Sequence, residues 1–302
     1  MRRYVPLLLA AILASAQDDV PLFRTGVSLV KVDAEVEDTS GAGIPGLRPN
    51  DFRVYDEGQP QAISDFASEA QPLHVLMLLD VSPSMSKWLG ELGSKSTESL
   101  GALRAGDKVA LMGFATRQEL LQPLTTSKSE MGVKIIGNIY KQTLGRETVV
   151  NEAILAASKY MGGQAGKRRA ILIVTDNEGA RKAVSDDEVV RALHSSNIVF
   201  SAILVGNAPA YAKTRYESPG SAPPNVERFV AETGGEVIRG AAPANALQPM
   251  LKGLTTRYTF QYTAPPAEDG TFRRIRVELT PEIAAKYPGA RVKARSGYTA
   301  GK

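Results

Sequence analysis

The chain has 302 residues, with 36 Lys and Arg against 32 Asp and Glu, so its net charge is only +4. That small excess, with no Lys/Arg run longer than three, gives no footprint for a nucleic-acid partner. Cysteine is absent, which excludes disulfides, thiolate metal sites and cysteine nucleophiles; the length allows one large domain or two smaller ones with an adequate core.

Residues 1–16 read as a secretory signal. Arg2 and Arg3 precede the apolar run Val5–Leu13, and Ala14-Ser15-Ala16 is an A-x-A cleavage site before Gln17. The run is too short to span a bilayer as an anchor. Removing the two arginines leaves 34 basic side chains against 32 acidic ones, and a secreted product in the periplasm, at the cell surface or in the medium is expected. No other segment is long and apolar enough to span a membrane.

Next comes a β-rich segment, residues 17–71. Val27–Glu37 alternates apolar and polar residues, as a half-buried strand does. After the turn-rich SGAGIPGL, the stretch NDFRVYDEGQPQAISDF holds two further short strands around its D-E-G-Q turn. From Pro72 to Leu254 buried-type strands alternate with amphipathic helices. Strands are predicted at 74–80, 107–115, 169–175 and 198–205, with a weaker one near 236–239. Helices are predicted near 87–103, 128–140, 149–162, 185–196, 225–234 and 244–254, and residues 118–124 suit a short antiparallel edge strand. This rhythm implies an α/β fold, a doubly wound, mostly parallel sheet with helices on both faces. Residues 255–302 return to β, and the two β-rich ends are expected to pair as a small accessory sheet or sandwich. Arg273, Arg274 and Arg276 form a basic patch or, more simply, the exposed face of a strand whose Ile275, Val277 and Leu279 point inward. The Pro/Gly/Ser stretch 217–225 reads as a surface loop.

The stretch with most chemistry is HVLMLLDVSPSM, 74–85. An apolar strand ends in Asp80, Ser82 and Ser84, and strand carboxyl ends are where open α/β sheets place ligands. Three oxygen-bearing side chains on one turn suit a hard divalent cation; they also suit a plain cap for the next helix. Thr148, in GRETVVNEAIL, begins a helical period. Asp176 ends the strand RRAILIVTD.

This pattern resembles the metal-ion-dependent adhesion site of von Willebrand factor A domains, DxSxS followed by a distant Thr and a distant Asp. With DFRVYDEGQPQAISDF before the domain and GTFRRIRVELT…RVKARSGY after it, residues 25–299 resemble the secreted bacterial von Willebrand factor A–related proteins of the Acidobacteria type. The resemblance implies that Ser82, Ser84 and Thr148 ligate Mg²⁺, with Mn²⁺ or Ca²⁺ as alternatives, while Asp80 and Asp176 act mainly through ordered waters. It implies an open coordination position that takes an Asp or Glu carboxylate from a partner protein, hence metal-bridged adhesion and not catalysis. Pro83 stands where glycine is frequent, Asn177 replaces a glycine after the last Asp, and Arg146-Glu147 replace small residues before Thr148. Glu147 or Glu178 could reach the open position from within the chain.

The rest of the inventory speaks against an enzyme. His74 and His194 read as structural, and no G-x-S-x-G, H-E-x-x-H or G-x-x-x-x-G-K-[ST] motif occurs. Trp88 reads as packing under the metal turn or as a rim contact. The alternative to a binding module is a structural or assembly protein of the cell envelope whose metal only stiffens the fold. The oligomeric state has no sequence signature.

Overall fold

The alternating residues of Leu29–Glu37 (β1) send Val30, Val32, Ala34 and Val36 into a core, as the two-residue period of a strand dictates. The computed structural model describes residues 29–67, 71–138, 144–166, 168–179, 183–209 and 223–301. The expected signal at 1–16 lies outside them, as does most of the expected loop 217–225. Phe52–Asp56 (β2) and Gln59–Gln61 (β3) form a hairpin around Glu57 and Gly58, whose φ of 48° and 79° give the turn the positive-φ pair that matches strand twist. Asp65–Ala67 (β4) follows, a third strand where two were expected.

The central block runs β5 (Leu73–Asp80), α1 (Ser86–Leu100), β6 (Lys108–Phe114), β7 (Gln118–Thr125), α2 (Lys128–Asn138), α3 (Val150–Gly162), β8 (Arg168–Thr175), α4 (Asp186–Ser195), β9 (Ile198–Leu204), α5 (Val226–Thr233), β10 (Val237–Arg239) and α6 (Pro243–Thr255). Its six strands lie in the order β10-β9-β8-β5-β6-β7, all parallel except β7, which runs against β6. Every residue of β5 is buried, because helices cover both faces. Val75, Met77 and Leu79 meet Leu89 and Leu92 of α1, Met131 of α2 and Leu247 of α6. Leu76 and Leu78 meet Ile154 of α3, Leu193 of α4 and Phe229 of α5. The neighbouring strands β5 and β8 therefore send their following helices to opposite faces. This is the reversal point at which such sheets open a ligand crevice at their carboxyl ends.

The chain closes with β11 (Tyr258–Thr263), β12 (Phe272–Leu279), a short helix α7 (Pro281–Lys286), β13 (Arg291–Ala294) and β14 (Gly297–Thr299). The ends pair as expected, but into two sheets: β13-β1-β11-β4 and β14-β12-β2-β3. They enclose a second core of Val32, Phe52, Val54, Phe260, Tyr262 and Ile275. The helix α7 was not anticipated, although Thr280-Pro281-Glu282 is a start signal. Ile275 and Val277 point inward and Arg274 and Arg276 outward, as the strand reading of this arginine-rich segment requires. Arg273 departs from it. Its Nε and Nη2 both reach Asp56 Oδ1 at 2.7 Å.

Asp56, fully buried, is the node of this sandwich. Its other oxygen accepts the hydroxyls of Tyr262 at 2.9 Å and Tyr298 at 2.8 Å. Burial, with the Asp56 charge adding to it, pushes both phenols up, Tyr298 to about 12. The DFRVYDEG and RSGY motifs, 242 residues apart at their bonded side chains, thus meet on one carboxylate. Between them Gly297 has no room for a side chain, since a Cβ would lie 2.3 Å from the Arg273 carbonyl oxygen. Gly297→Ala is expected to cost about 1–3 kcal/mol, the usual range for forced overpacking, read as a lowered urea midpoint with the β12–β14 edge loosened.

Three buried arginines stitch the sandwich to the six-stranded domain. Arg257 pairs with Glu35 at 2.9 Å and donates to the carbonyls of Asp33 and Gly234. Arg168 donates to the carbonyls of Gln71 and Leu254, where chain enters and leaves the domain. Arg295 donates to Asn197 Oδ1 at 2.8 Å and to the Gly297 carbonyl at 2.7 Å. Gly234 ends α5 at φ 72°, and a Cβ there would stand 2.3 Å from the Ala294 carbonyl carbon, so the two parts touch backbone to backbone. Glu35, Glu37 and Glu236 also converge here with carboxylate oxygens within 4.8 Å of one another. Each has a cationic partner, Arg257 for Glu35 and Lys293 for Glu37 and Glu236, so the trio is an ion-pair network.

Candidate metal centre

At the carboxyl end of β5 the chain turns sharply. Asp80 accepts the Ser82 amide on Oδ1 at 2.9 Å, and Oδ2 accepts the hydroxyl of Thr175, the last residue of β8, at 2.7 Å. Parallel pairing of Leu79 with Val174 places these two strand ends side by side. Residues Pro83–Met85 form one 3-10 turn, and α1 begins at Ser86. Pro83 sits at the first position of that turn, where a missing amide leaves nothing unsatisfied, so the departure from glycine is accommodated.

The helix-cap alternative for this turn fails on its geometry. Ser82, which precedes the 3-10 turn, makes no side-chain cap bond, and neither does Met85 before α1. The Ser82 and Ser84 hydroxyl oxygens instead face each other at 3.1 Å, with Ser82 buried and Ser84 exposed. Two neighbouring ligands of an octahedral Mg²⁺, with bonds of about 2.1 Å, would be about 3 Å apart. The pair, here hydrogen-bonded to each other, has a spacing compatible with two such ligands.

Asp176 continues from Thr175, 6% exposed, and its charge is felt at Asp80. Burial pushes the Asp80 carboxyl up to about 6 and the Asp176 charge adds to this, while bonds from Ser82 and Thr175 pull it down. Among the described residues only Ser82 and the Thr175 hydroxyl bond the Asp80 carboxyl, and a divalent cation would supply a counter-charge. Asn177 takes the left-handed conformation, φ 56°, that the replaced glycine would adopt. Its Nδ2 donates to the carbonyls of Pro209 and Pro224, tying neighbouring loops to the strand end.

Thr148 belongs to the loop before α3. Its carbonyl oxygen would lie 2.4 Å from a Cβ on Gly179, so this loop abuts the segment Asp176–Gly179. The same loop is fastened to the chain just after β6, with the Val149 amide bonded to the Ala115 carbonyl and the Glu147 amide to Thr116 Oγ1. All five expected residues thus stand at one end of the sheet: Asp80, Ser82 and Ser84 after β5, Asp176 after β8, and Thr148 packed on the Asp176 loop. Glu147 and Glu178 are both exposed. Thr175 escaped the sequence reading, and Asn177 entered it only as a replacement for glycine. Thr175 positions Asp80 and accepts the Asn177 amide, and Asn177 ties in the outer loops. The adjacency Thr-Asp-Asn at a strand end was the available signal.

Trp88 is half-buried and packs against the α1-side core, its ring 3.5 Å from where a Gly206 Cβ would lie. Both histidines are buried and remote in role. His74 starts β5, at the opposite end of the strand from Asp80, and His194 Nε2 meets the Glu232 carbonyl.

The family model for the von Willebrand factor type A domain matches residues 75–179. An uncharacterized protein of Borreliella burgdorferi is 24% identical over 144 residues, 46% of this chain; the match spans 42% of that protein's length. Among solved structures, the conserved hypothetical protein BatB from Bacteroides thetaiotaomicron superposes with a TM-score of 0.48 at 21% identity, over 61% of this chain and 97% of that one. The von Willebrand factor type A protein from Catenulispora acidiphila gives 0.47 at 12% identity, over 92% of this chain and 76% of that one. Residues 75–179 thus match a von Willebrand factor type A domain, and the chain has the α/β fold of that family with antiparallel sheets added at both ends.

Proposed function

We propose that this protein is an exported interaction module that captures a carboxylate of a partner protein through a divalent cation, Mg²⁺ in the first instance. Ser82, Ser84 and Thr148 would hold the ion directly, and Asp80 and Asp176 would neutralise it from behind through water. Bound there, the ion would supply an electrophilic position for an outside Asp or Glu. The observation that carries this reading is the pair of hydroxyls 3.1 Å apart, unused for capping and backed by a buried carboxylate. Export rests on the leader at 1–16; among the described residues no helix is long and apolar enough to cross a membrane.

Neither histidine lies at this end of the sheet, and in this reading the site holds a carboxylate of a partner. The test is capture from the native envelope in Mg²⁺ with elution by chelator, repeated with Asp80→Ala. Capture that ignores both chelator and substitution rejects the reading.

Protons and the cation compete for the same carboxylate. Because Asp80 titrates near 6 without metal, Mg²⁺ affinity is expected to fall below that pH, by up to about tenfold per pH unit, and to level off above it. Calorimetric titration with Mg²⁺ from pH 5 to 8 checks this.

A further inference from the structure

At the opposite end of the sheet from the candidate metal centre, a cleft of 430 Å³ separates the start of β8 and the end of α4 from β1 and the β13–β14 corner. Cavities of roughly 300–1,000 Å³ are the usual size for small-molecule sites. Among the described residues its charged lining consists of Lys31, Arg169 and Arg295, with no carboxylate. We propose that this cleft binds a small oxyanion, a phosphate- or carboxylate-bearing molecule, with Arg169 as its main contact and Arg295 as fixed positive charge behind it.

Both arginines also serve the fold. Arg169 donates to the carbonyls of Ser196 and Gln164, at 2.9 and 2.8 Å, and Arg295 reaches the His194 carbonyl at 3.5 Å. These acceptors are neutral and lie just past α3 (Gln164) and at the end of α4 (His194 and Ser196), where a helix dipole offers only about half a negative charge. Two guanidinium charges exceed that. A guanidinium carries five N–H donors. Arg169 spends two of its donors on these carbonyls, and its Nε is buried with no hydrogen-bond partner.

Arg295 is 9% exposed and burial pulls its pKa down to about 10, partly offset by the charge of Asp33. Asp33 is buried beside it but does not line the cleft. A buried cation bonded only to neutral oxygens favours an anion in adjoining space. The walls come from both the sandwich and the six-stranded domain, so an occupant would bridge the two. Leu29, 55% exposed, gives the cleft an apolar side suited to the carbon part of an organic anion.

Calorimetric titration of the metal-free full chain with inorganic phosphate, and separately with succinate, tests the proposal at an ionic strength held constant with NaCl. One saturable site per chain is expected for at least one anion, with a Kd of about 1 mM or tighter. Arg169→Gln should weaken it at least tenfold, while Asp80→Ala should bind as wild type does, which separates this site from the metal centre. Lys31→Gln, at a half-buried strand position, should weaken binding severalfold and serves if Arg169→Gln folds poorly. Binding of phosphate alone would assign a phosphoryl ligand, and binding of succinate alone a carboxylate. No saturable binding of either up to about 10 mM, or binding untouched by both substitutions, would overturn the proposal.

Discussion

Asp56→Ala is expected to lower the unfolding free energy by about 3–5 kcal/mol, the usual cost of removing one partner from a buried ion pair. The substitution strands three groups at once. Arg273 loses both of its 2.7 Å bonds, and the phenols of Tyr262 and Tyr298 lose the oxygen that accepts their hydroxyls inside a core closed by Phe52, Phe260 and Ile275. Tyr262→Phe removes one neutral donor to a charged acceptor and should cost less, about 1.5–3 kcal/mol. Urea unfolding monitored by circular dichroism orders the variants. If Asp56→Ala unfolds at the wild-type midpoint, the carboxylate is not what holds the two sheets together.

How much of this was legible in the sequence follows from how local each signal is. The parallel strands announced themselves because burial on both faces leaves continuous apolar runs such as Leu73–Leu79. Their helices carried a 3.6-residue period. The pairing of the two β-rich ends was anticipated, but not its division into two sheets, because β4 is three residues long and leaves its hairpin to join β11. The buried arginines could not be assigned from sequence. Arg257 lies 222 residues from Glu35, and Arg273, read as an exposed charge on a strand, lies 217 from Asp56. At the candidate site the Asp80–Ser84 turn was readable because its oxygens fall within five residues. Thr175 was not singled out and Asn177 was noted only as a replaced glycine, because their role is to hold Asp80 and the outer loops, which needs the β5–β8 neighbourhood to become visible.

Asp80→Asn is expected to raise the stability of the metal-free protein and to abolish its response to Mg²⁺. A carboxyl whose midpoint moves from 3.8 to about 6 is disfavoured in its charged form by up to about 3 kcal/mol. Since the folded midpoint is raised, the stabilisation is complete below about pH 4 and is lost as pH rises through about 6, so at pH 7 the metal-free wild type bears the whole penalty. Asparagine removes the charge but keeps both bonds. Its Oδ1 can accept the Ser82 amide, and its Nδ2 can donate to Thr175 Oγ1. In chelator at pH 7 the variant should therefore melt above wild type. With Mg²⁺ at a hundred times its Kd, wild type should gain about 2.7 kcal/mol and the variant close to nothing. That reversal of order also separates the two functional readings. A folded, stable Asp80→Asn protein that no longer captures its partner has lost the bridging ion and nothing else, whereas one that still captures it would show that the metal serves only to stiffen the fold. A variant less stable than wild type in chelator, with no Mg²⁺ effect on either protein, would mean that Asp80 is a structural hydrogen-bond acceptor and that the end of this sheet holds no cation.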